Sequence, residues 1–438
     1  MVQLFTWISR PASRRLLAGM IAVVGMVATV CPLMAQDYKA LPRKFKSERE
    51  VNDVRKTALS ALKGGSSFAQ AEAPMRKYYE DFVATEMSQL GSKANGAQFP
   101  EWRREIQKDI FDAARYSGGA QKQDGLRKLV YEVFTKLFAA KDRTPACRYN
   151  ALLILGDLND REQARRGSTI EPPVPSSRVR DLLLKTYKDS SEPEIIHIGA
   201  MIGLVRHNKM LAAAGSPDAS LVSLFRQALA KSEPAAGETA EGVEWMRLLA
   251  IDALGDAGMT EDAASLTAIV ADENEAIMLR SAAMSALSRL SYQANADIDE
   301  GAVIKAAGLL TTKLLETQVA ETKSYIDNNA DEIRSAQRLI GLETSGNDNK
   351  AAANTPENPY VARVRKETMY RLISAYTLVK GITPAVTEPT WQTARESLQR
   401  ELVTILKSLD TTALQPQEFY DKLAPIPGRL SNILNSAA

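Results

Sequence analysis

The sequence has few of the side chains that supply most catalytic and metal-binding chemistry. Its 438 residues include only two cysteines and two histidines. Cys31 lies in an N-terminal segment with the features of an export signal, so its removal leaves Cys147 as the single thiol and excludes an intrachain disulfide. His197 and His207 are ten residues apart, whereas a helical ligand pair needs a spacing of about three or four. We therefore predict no metal site and no cofactor, and we assign Cys147 a packing role.

Familiar catalytic motifs are also missing. The chain has no G-x-S-x-G, no phosphate-binding glycine-rich loop and no dinucleotide fingerprint. Ser60 and Lys63 match the S-x-x-K pattern of penicillin-recognising enzymes, but the companion motifs of those enzymes are absent. A calcium-loop pattern that begins at Asn295 fails because Ala306 stands where the bidentate acid is required. No catalytic residue is predicted.

The first 35 residues have the three parts of an export signal. They contain three arginines, no acidic residue, an apolar block and a small residue, Ala35, at the predicted cleavage point. We predict export to the periplasm or the extracellular space, with the general secretory route favoured over the twin-arginine route. The alternative is an uncleaved anchor, because residues 16–34 approach the length of a bilayer span. No membrane span is predicted after cleavage.

The signal also accounts for the slight basicity of the chain. The full sequence has 55 Lys and Arg against 53 Asp and Glu, a formal charge of +2. Arg10, Arg14 and Arg15 leave with the signal, so the remaining 403 residues have 52 basic and 53 acidic side chains and a net charge of −1. A near-neutral chain lacks the broad cationic surface that general nucleic-acid binding requires. We therefore predict no nucleic-acid partner.

Apolar residues follow a helical period along most of the chain. In the clearest stretch, they recur at intervals of three and four residues from Leu126 to Leu137 and Phe138, which forms a continuous apolar stripe on one helix face. Ser47 and Glu50 have the spacing of a capping box that opens an earlier helix. No stretch has the strict alternation of a half-buried strand. The predicted fold class is all-α.

A short pattern recurs within this helical sequence. It reads R-x-x-A-x-x-I-L-G-D from Arg148 and R-x-x-A-x-x-A-L-G-D from Arg247, with looser copies at Arg280, His197 and Arg55. The recurring positions of the clearer copies are Arg148, Ala151, Gly156, Asp157, Arg247, Ala250, Gly255, Asp256, Arg280 and Ala283. Residues that recur at equivalent positions are explained by the repeated unit. We therefore assign them, together with Arg55, structural roles.

Each position of the pattern has a predicted role in packing. Small residues three apart let a neighbouring helix approach closely. Gly156 and Gly255 are predicted to let their helices end in a left-handed residue. The arginines are predicted to pair with an acid such as Asp157 or Asp256, on the surface or between units.

The pattern resembles the HEAT and HEAT-like (PBS-lyase-type) repeat family over residues 145–292, most closely at residues 244–290, and residues 145–298 are predicted to be the region of HEAT-like repeats. The copies at Arg148, His197, Arg247 and Arg280 are 49, 50 and 33 residues apart. The resemblance implies an α-solenoid of stacked helical hairpins, wound as a right-handed superhelix. It also implies a curved surface that binds a partner, commonly another protein. Residues 36–144 are predicted to be helical, and diverged repeats are one interpretation of them.

A segment rich in proline and arginine interrupts the repeats at residues 161–180. Its prolines exclude a helix and favour an extended excursion. Its arginines are Arg161, Arg165, Arg166, Arg178 and Arg180. They are candidates for binding an acidic partner. The alternative is a solvated loop, because acidic residues are interleaved with these arginines.

The remaining chain is predicted to contain three segments. Residues 299–342 read as one long helix or two abutting helices, residues 343–359 as a flexible linker, and residues 360–438 as a C-terminal helical segment. The sequence leaves the oligomeric state open.

Two functions are consistent with these features. The first is a non-catalytic scaffold or adaptor outside the cytoplasm that binds another protein. The second is an exported all-α enzyme, a lyase or hydrolase that acts on polysaccharide as a toroid of helical hairpins. Such an enzyme needs aromatic platforms, yet aromatic residues make up only 6% of the chain. The repeats ending in Gly-Asp favour the scaffold.

Overall fold

The computed structural model describes residues 38–65, 67–89, 93–166, 168–293, 297–335, 357–410 and 414–437. The predicted signal, including Cys31, lies outside these ranges, as do Asn295 and residues 343–356 of the predicted linker. The chain is 75% helix and 2% strand, in a compact packing of about 16 helices. This composition confirms the all-α prediction.

Four helices of ten or more residues, and one helical turn at Thr85–Met87, form the N-terminal region: α1 Glu48–Lys63, α2 Ala69–Tyr78, α3 Lys93–Ala113 and α4 Gly119–Ala139. Helix α1 begins as its capping box predicts, because the Ser47 hydroxyl accepts a hydrogen bond from the Glu50 backbone N–H at 3.3 Å. Helix α2 continues into a π-helical segment, Tyr79–Ala84. Helix α1 packs against α2, and α3 packs against α4.

Seven helices follow: α5 Pro145–Gly156, α6 Ser177–Lys188, α7 Glu194–Ala213, α8 Ala219–Ala230, α9 Ala240–Ala257, α10 Ala263–Ala271 and α11 Ile277–Leu287. Helices α5, α7, α9 and α11 pack side by side in chain order, and we call them the central row. Helices α4, α6, α8 and α10 each pack against the row helix that follows them in the chain. Each row helix is therefore covered by the helix that precedes it.

The segment at residues 161–180 is more ordered than a loop. Four short strands, β1 Asn159–Arg161, β2 Ala164–Arg166, β3 Thr169–Glu171 and β4 Val174–Pro175, pair as β1 with β4 and β2 with β3, both antiparallel. We call this pair of ladders the β-ribbon. The prediction of an extended chain is correct. The predictions that the chain has no strand and that no helix occurs within residues 161–180 are wrong. Helix α6 already begins at Ser177, just after the last proline, so Arg178 and Arg180 are helical.

The C-terminal region has five helices: α12 Glu300–Asn328, α13 Pro359–Gly381, α14 Pro389–Leu409, α15 Pro416–Leu423 and α16 Ile426–Asn435. Residues 330–335 are also helical. Helix α12 packs against α10, α13 and α16, and α13 also packs against α11 at the end of the central row. Among the helices in the described part of the chain, none is both long enough and apolar enough to cross a bilayer.

The small residues of the repeated pattern lie where row helices approach one another. Ala151, Ala250 and Ala283 are completely buried. A Cβ added to Gly156 would lie 3.2 Å from the Cα of Gly203, and a Cβ added to Gly255 would lie 2.7 Å from the Cα of Ala286. Glycine therefore allows close contact between consecutive row helices.

The prediction that these glycines end their helices in a left-handed residue is wrong. Gly156 is the last residue of α5, and its cap residue Asp157 has a φ of −85°. Gly255 lies inside α9, and Gly258, with a φ of +70°, caps that helix instead. The physical reason is the close approach of the neighbouring row helix. A side chain at either position would crowd that helix, so glycine is needed for packing and not for a left-handed helix end.

We expect Gly255→Ala to lower the free energy of unfolding by about 1–3 kcal/mol, because the new methyl group overpacks the contact with α11. This loss opposes the gain of about 1 kcal/mol in helix propensity. Gly428→Ala in α16 is the matched control, because its added Cβ meets no atom within 4 Å. Urea unfolding of both variants checks the prediction, and equal effects of the two substitutions would contradict it.

Candidate functional site

The arginines of the repeated pattern share one contact. The Nε of Arg148, Arg247 and Arg280 donates to the carbonyl oxygens of Phe138, Leu229 and Val270, at 2.8, 3.3 and 3.0 Å. Each acceptor is the second-last residue of the helix that precedes the row helix, namely α4, α8 and α10. Carbonyls in the last turn of a helix have no partner within that helix. Each arginine therefore caps the helix that covers its own.

His197 makes the corresponding contact in α7. Its Nε2 lies 2.9 Å from the carbonyl oxygen of Asp189, the residue that caps α6. In α7, the imidazole of His197 thus takes the place that an arginine guanidinium has in the other row helices. All four copies of the pattern from residue 148 onward are joined to the preceding helix in the same way.

The same side chains also hold the start of the next row helix. Arg148 Nη2 lies 2.7 Å from both carboxylate oxygens of Glu192, and Arg247 Nη2 lies 2.6 Å from Oε1 of Glu275. Glu192 and Glu275 stand two residues before α7 and α11. The prediction that the arginines pair with Asp157 or Asp256 is therefore wrong, because those aspartates lie more than two turns along the helix from Arg148 and Arg247.

Asp157 and Asp256 instead belong to a second set of contacts between row helices. Asp157 lies 3.4 Å from Nε of Arg206 in α7, and Asp256 lies 3.1 Å from Nη1 of Arg289, just after α11. Arg206 and Arg289 come nine residues after His197 and Arg280, as the two aspartates come nine after Arg148 and Arg247. Aspartate and arginine thus alternate at the last position of the sequence pattern along the central row.

Arg206 and Arg289 were not among the predicted residues. Alignment of the looser copies with the two clear ones could have found them, since both stand in the tenth position of the pattern. Burial raises the pKa of Asp256 above its ordinary value, and the neighbouring Arg289 opposes that rise. The contact is partly desolvated, so its loss would leave a half-buried carboxylate beside one exposed lysine, Lys209.

Arg55 has a different environment from the other arginines of the pattern. Its Nη1 and Nη2 donate to the Asp109 carboxylate at 2.6 and 2.8 Å, and its Nε lies 2.6 Å from Glu105. Both acids are on α3. The hydroxyl of the buried Tyr79, at the start of the π-helical segment, donates to Asp109 at 2.6 Å. Burial raises the pKa of Tyr79 well above its ordinary value, so this tyrosine is a neutral donor.

The five arginines of residues 161–180 are distributed over two elements. Arg161 is exposed on β1, and Arg165 and Arg166 lie in β2. Arg178 lies over the Tyr131 ring, with its Cζ 3.9 Å from the ring centroid, and Arg180 Nη1 lies 3.1 Å from Asp218. The arginines of the ribbon and those of α6 therefore do not form a single cluster of unpaired cations.

A cavity of about 300 Å³ opens beside the base of the β-ribbon. Arg103 of α3 binds the Asp157 carboxylate, with Nη2 2.7 Å from Oδ1, and Arg206 donates to the Gly156 carbonyl and the Asn159 side chain at 3.0 Å. Burial lowers the pKa of Arg206. The other lining residues are Ile106, Gln107, Ile110, Phe111, Ile154, Leu158 and Glu162. Charges in this cavity are matched by the chain itself.

The remaining reactive groups are structural. Cys147 is buried, and burial raises its pKa to about 12, so it is a thiol at neutral pH. His207 is also buried, with Nε2 3.2 Å from the carbonyl oxygen of Gly156. In the described ranges, no three or more His, Cys, Asp and Glu side chains come together as metal ligands would.

In comparisons with protein-family models, curated proteins and solved structures, the chain shows no match. Its function is therefore inferred from geometry.

We expect Arg148→Met to lower the free energy of unfolding by about 3–5 kcal/mol, because it leaves the buried Glu192 carboxylate with the half-exposed Lys141 as its remaining counter-charge. Adding Glu192→Leu should restore part of the loss, since an apolar pair removes the buried charge while the Phe138 carbonyl still lacks its donor. Urea unfolding of the single and double variants measures both effects. A double variant less stable than Arg148→Met would contradict the pairing.

A pH-dependent loss of stability is expected from His207. Burial lowers its pKa to about 4, against about 6.5 for an unfolded histidine. The unfolded chain therefore binds the proton more tightly, and stability falls as the pH decreases from 6.5 toward 4.

The contribution of this histidine between pH 7 and pH 4.5 is roughly 2–3 kcal/mol. His207→Gln should reduce the difference between unfolding free energies at the two pH values by that amount. The carboxylates titrate in the same way in both proteins, so the difference between the two pH dependences comes from His207. An identical pH dependence in both proteins would show that His207 does not titrate in this window.

Proposed function

We propose that this chain is an α-solenoid of HEAT-like hairpins that acts outside the cytoplasm as a non-catalytic scaffold or adaptor for another protein. In this proposal the first 35 residues direct export and are removed. The row helices and their covering helices are the two layers of a right-handed superhelix, and the β-ribbon is an insertion between two hairpins.

One observation carries the proposal. The side chains of Arg148, His197, Arg247 and Arg280 each contact a carbonyl at the end of the preceding helix. The row helices also follow one another in chain order. A unit that contacts mainly its sequence neighbours is typical of repeat proteins, which present extended surfaces to partners.

The ionisable groups of the repeated units support a structural rather than a catalytic role. Arg148 and Glu192 neutralise one another, and each has a side chain that is only 5% exposed. Arg247 and Glu275 form an equivalent pair that is 13% and 19% exposed. Groups that are paired and covered in this way hold helices together, and binding is left to the outer surface. The ribbon arginines Arg161, Arg165 and Arg166 remain candidates for an acidic partner.

Affinity capture tests the proposal. Mature protein, residues 36–438, is immobilised, incubated with the native envelope fraction and eluted, with the heat-unfolded protein as the control. We expect saturable, stoichiometric capture of one protein by the folded chain alone. Breakdown of envelope polysaccharide by the purified chain, with no protein captured, would overturn the proposal in favour of the enzyme.

A further inference from the structure

The charge of the chain is very unevenly distributed. Between Lys231 and Arg280 the sequence has one basic residue, Arg247, and eleven acidic residues. The acids are Glu233, Glu238, Glu241, Glu244, Asp252, Asp256, Glu261, Asp262, Asp272, Glu273 and Glu275. The mature chain is nearly neutral, so this segment, which contains α9, α10 and the start of α11, is its strongest concentration of one charge.

About half of these acids are neutralised by the fold. Lysine or arginine pairs with Glu238, Asp252, Asp256, Asp262 and Glu275. In contrast, Glu241, Glu244 and Glu273 make no ion pair with any residue that the structure describes. Glu241 and Glu273 are exposed, and Glu244 is half-buried. Uncompensated negative charge therefore remains on the surface.

These three acids lie at the edge of the central row where α9 and α11 begin. Glu241 and Glu244 are in the first turns of α9, and Glu273 is in the connection that leads into α11. The ion pair between Arg247 and Glu275 joins the second turn of α9 to that connection. The N-terminal ends of α9 and α11 therefore form one surface.

Apolar side chains stand among these acids. Ile277 and Met278, in the first turn of α11, are 46% and 45% exposed. Trp245, next to Glu244, is only half-buried. The neighbours Leu279 and Met246 are buried in the core, whereas Ile277 and Met278 stay exposed and Trp245 packs against the core with only part of its side chain covered. Contiguous exposed apolar residues rimmed by charge are typical of interaction sites.

We propose that these six residues, Glu241, Glu244, Trp245, Glu273, Ile277 and Met278, form a docking surface for a basic amphipathic segment of the partner protein. We call it the α9–α11 surface. The inference rests on the proposed scaffold function and names the chemistry of its partner. Lysine or arginine side chains of the segment pair with the three carboxylates, and its apolar face covers Trp245, Ile277 and Met278.

The negative charge of the α9–α11 surface favours a basic segment over other classes of partner. A nucleic acid or an anionic lipid surface would be repelled by the uncompensated carboxylates. An acidic peptide would meet the same repulsion. A purely apolar partner would leave the carboxylates partly desolvated without a counter-charge, which is costly.

A synthetic amphipathic helix of about five turns, with leucine on one face and lysine on the other, is the probe. Its binding to residues 36–438 is measured by fluorescence anisotropy, beside a peptide in which glutamate replaces every lysine and a scrambled peptide of identical composition. We expect saturable one-to-one binding of the basic amphipathic peptide only, weakened by added salt. Equal binding of the scrambled peptide would contradict the apolar half of the proposal.

Two variants locate the site. Glu241→Gln, Glu244→Gln and Glu273→Gln together should weaken binding roughly tenfold, as expected for three partly exposed ion pairs. The matched control combines Asp53→Asn, Glu101→Gln and Glu332→Gln, which removes three exposed acids elsewhere and should leave affinity unchanged. Ile277→Ser with Met278→Ser should weaken binding at high salt as well. Equal affinities of the acid variant and its control would overturn the proposal.

The capture experiment, repeated with the same variants, separates this inference from the proposed function. A partner that is retained by wild type, control and acid variant alike supports a scaffold but places its contact elsewhere, so the inference fails alone. Failure of every folded protein to capture a partner contradicts the scaffold itself. Circular dichroism and urea unfolding confirm that each variant is folded before binding is measured.

Discussion

The architecture depends on how the ends of helices are satisfied. A helix leaves its last carbonyls without partners, and a buried helix end therefore needs donors from elsewhere. Here an arginine or histidine of each row helix reaches back to the end of the helix that covers it. Two of the arginines also hold the acid that precedes the next row helix. One side chain thus connects three consecutive elements.

With the helix ends held by these contacts, the other positions of the pattern serve the packing between helices. Alanine and glycine let the row helices pack closely, and apolar residues fill the space between the two layers. Aspartate and arginine at the tenth position of the pattern add a polar contact between neighbouring row helices. Because the strong ion pairs are used inside the units, the side chains that remain outside set the binding properties. Those of α9 and α11 include acidic and apolar residues, and the β-ribbon carries three arginines interleaved with three acidic residues.

The helices could be predicted from the sequence, because they follow from local apolar periodicity, and the recurring pattern marked the arginines that make equivalent contacts. The partners of the arginines could not. Glu192 is 44 residues from Arg148, and Glu275 is 28 residues from Arg247, so no fixed spacing points to them. The β-ribbon was missed because its strands are two or three residues long and their pairing depends on the chain turning back. The misassigned role of Gly255 has a related cause, since only tertiary packing reveals that Ala286 lies against it.

The substitution His197→Arg tests the repeated contact most directly. If α7 is a copy of the other row helices, the guanidinium can donate to the Asp189 carbonyl and pair with Glu238, which stands two residues before α9 as Glu192 and Glu275 stand before α7 and α11. We then expect the free energy of unfolding to rise by roughly 0.5–2 kcal/mol, and the gain to vanish when Glu238→Gln is added. A loss of stability from His197→Arg would contradict the equivalence of the four positions.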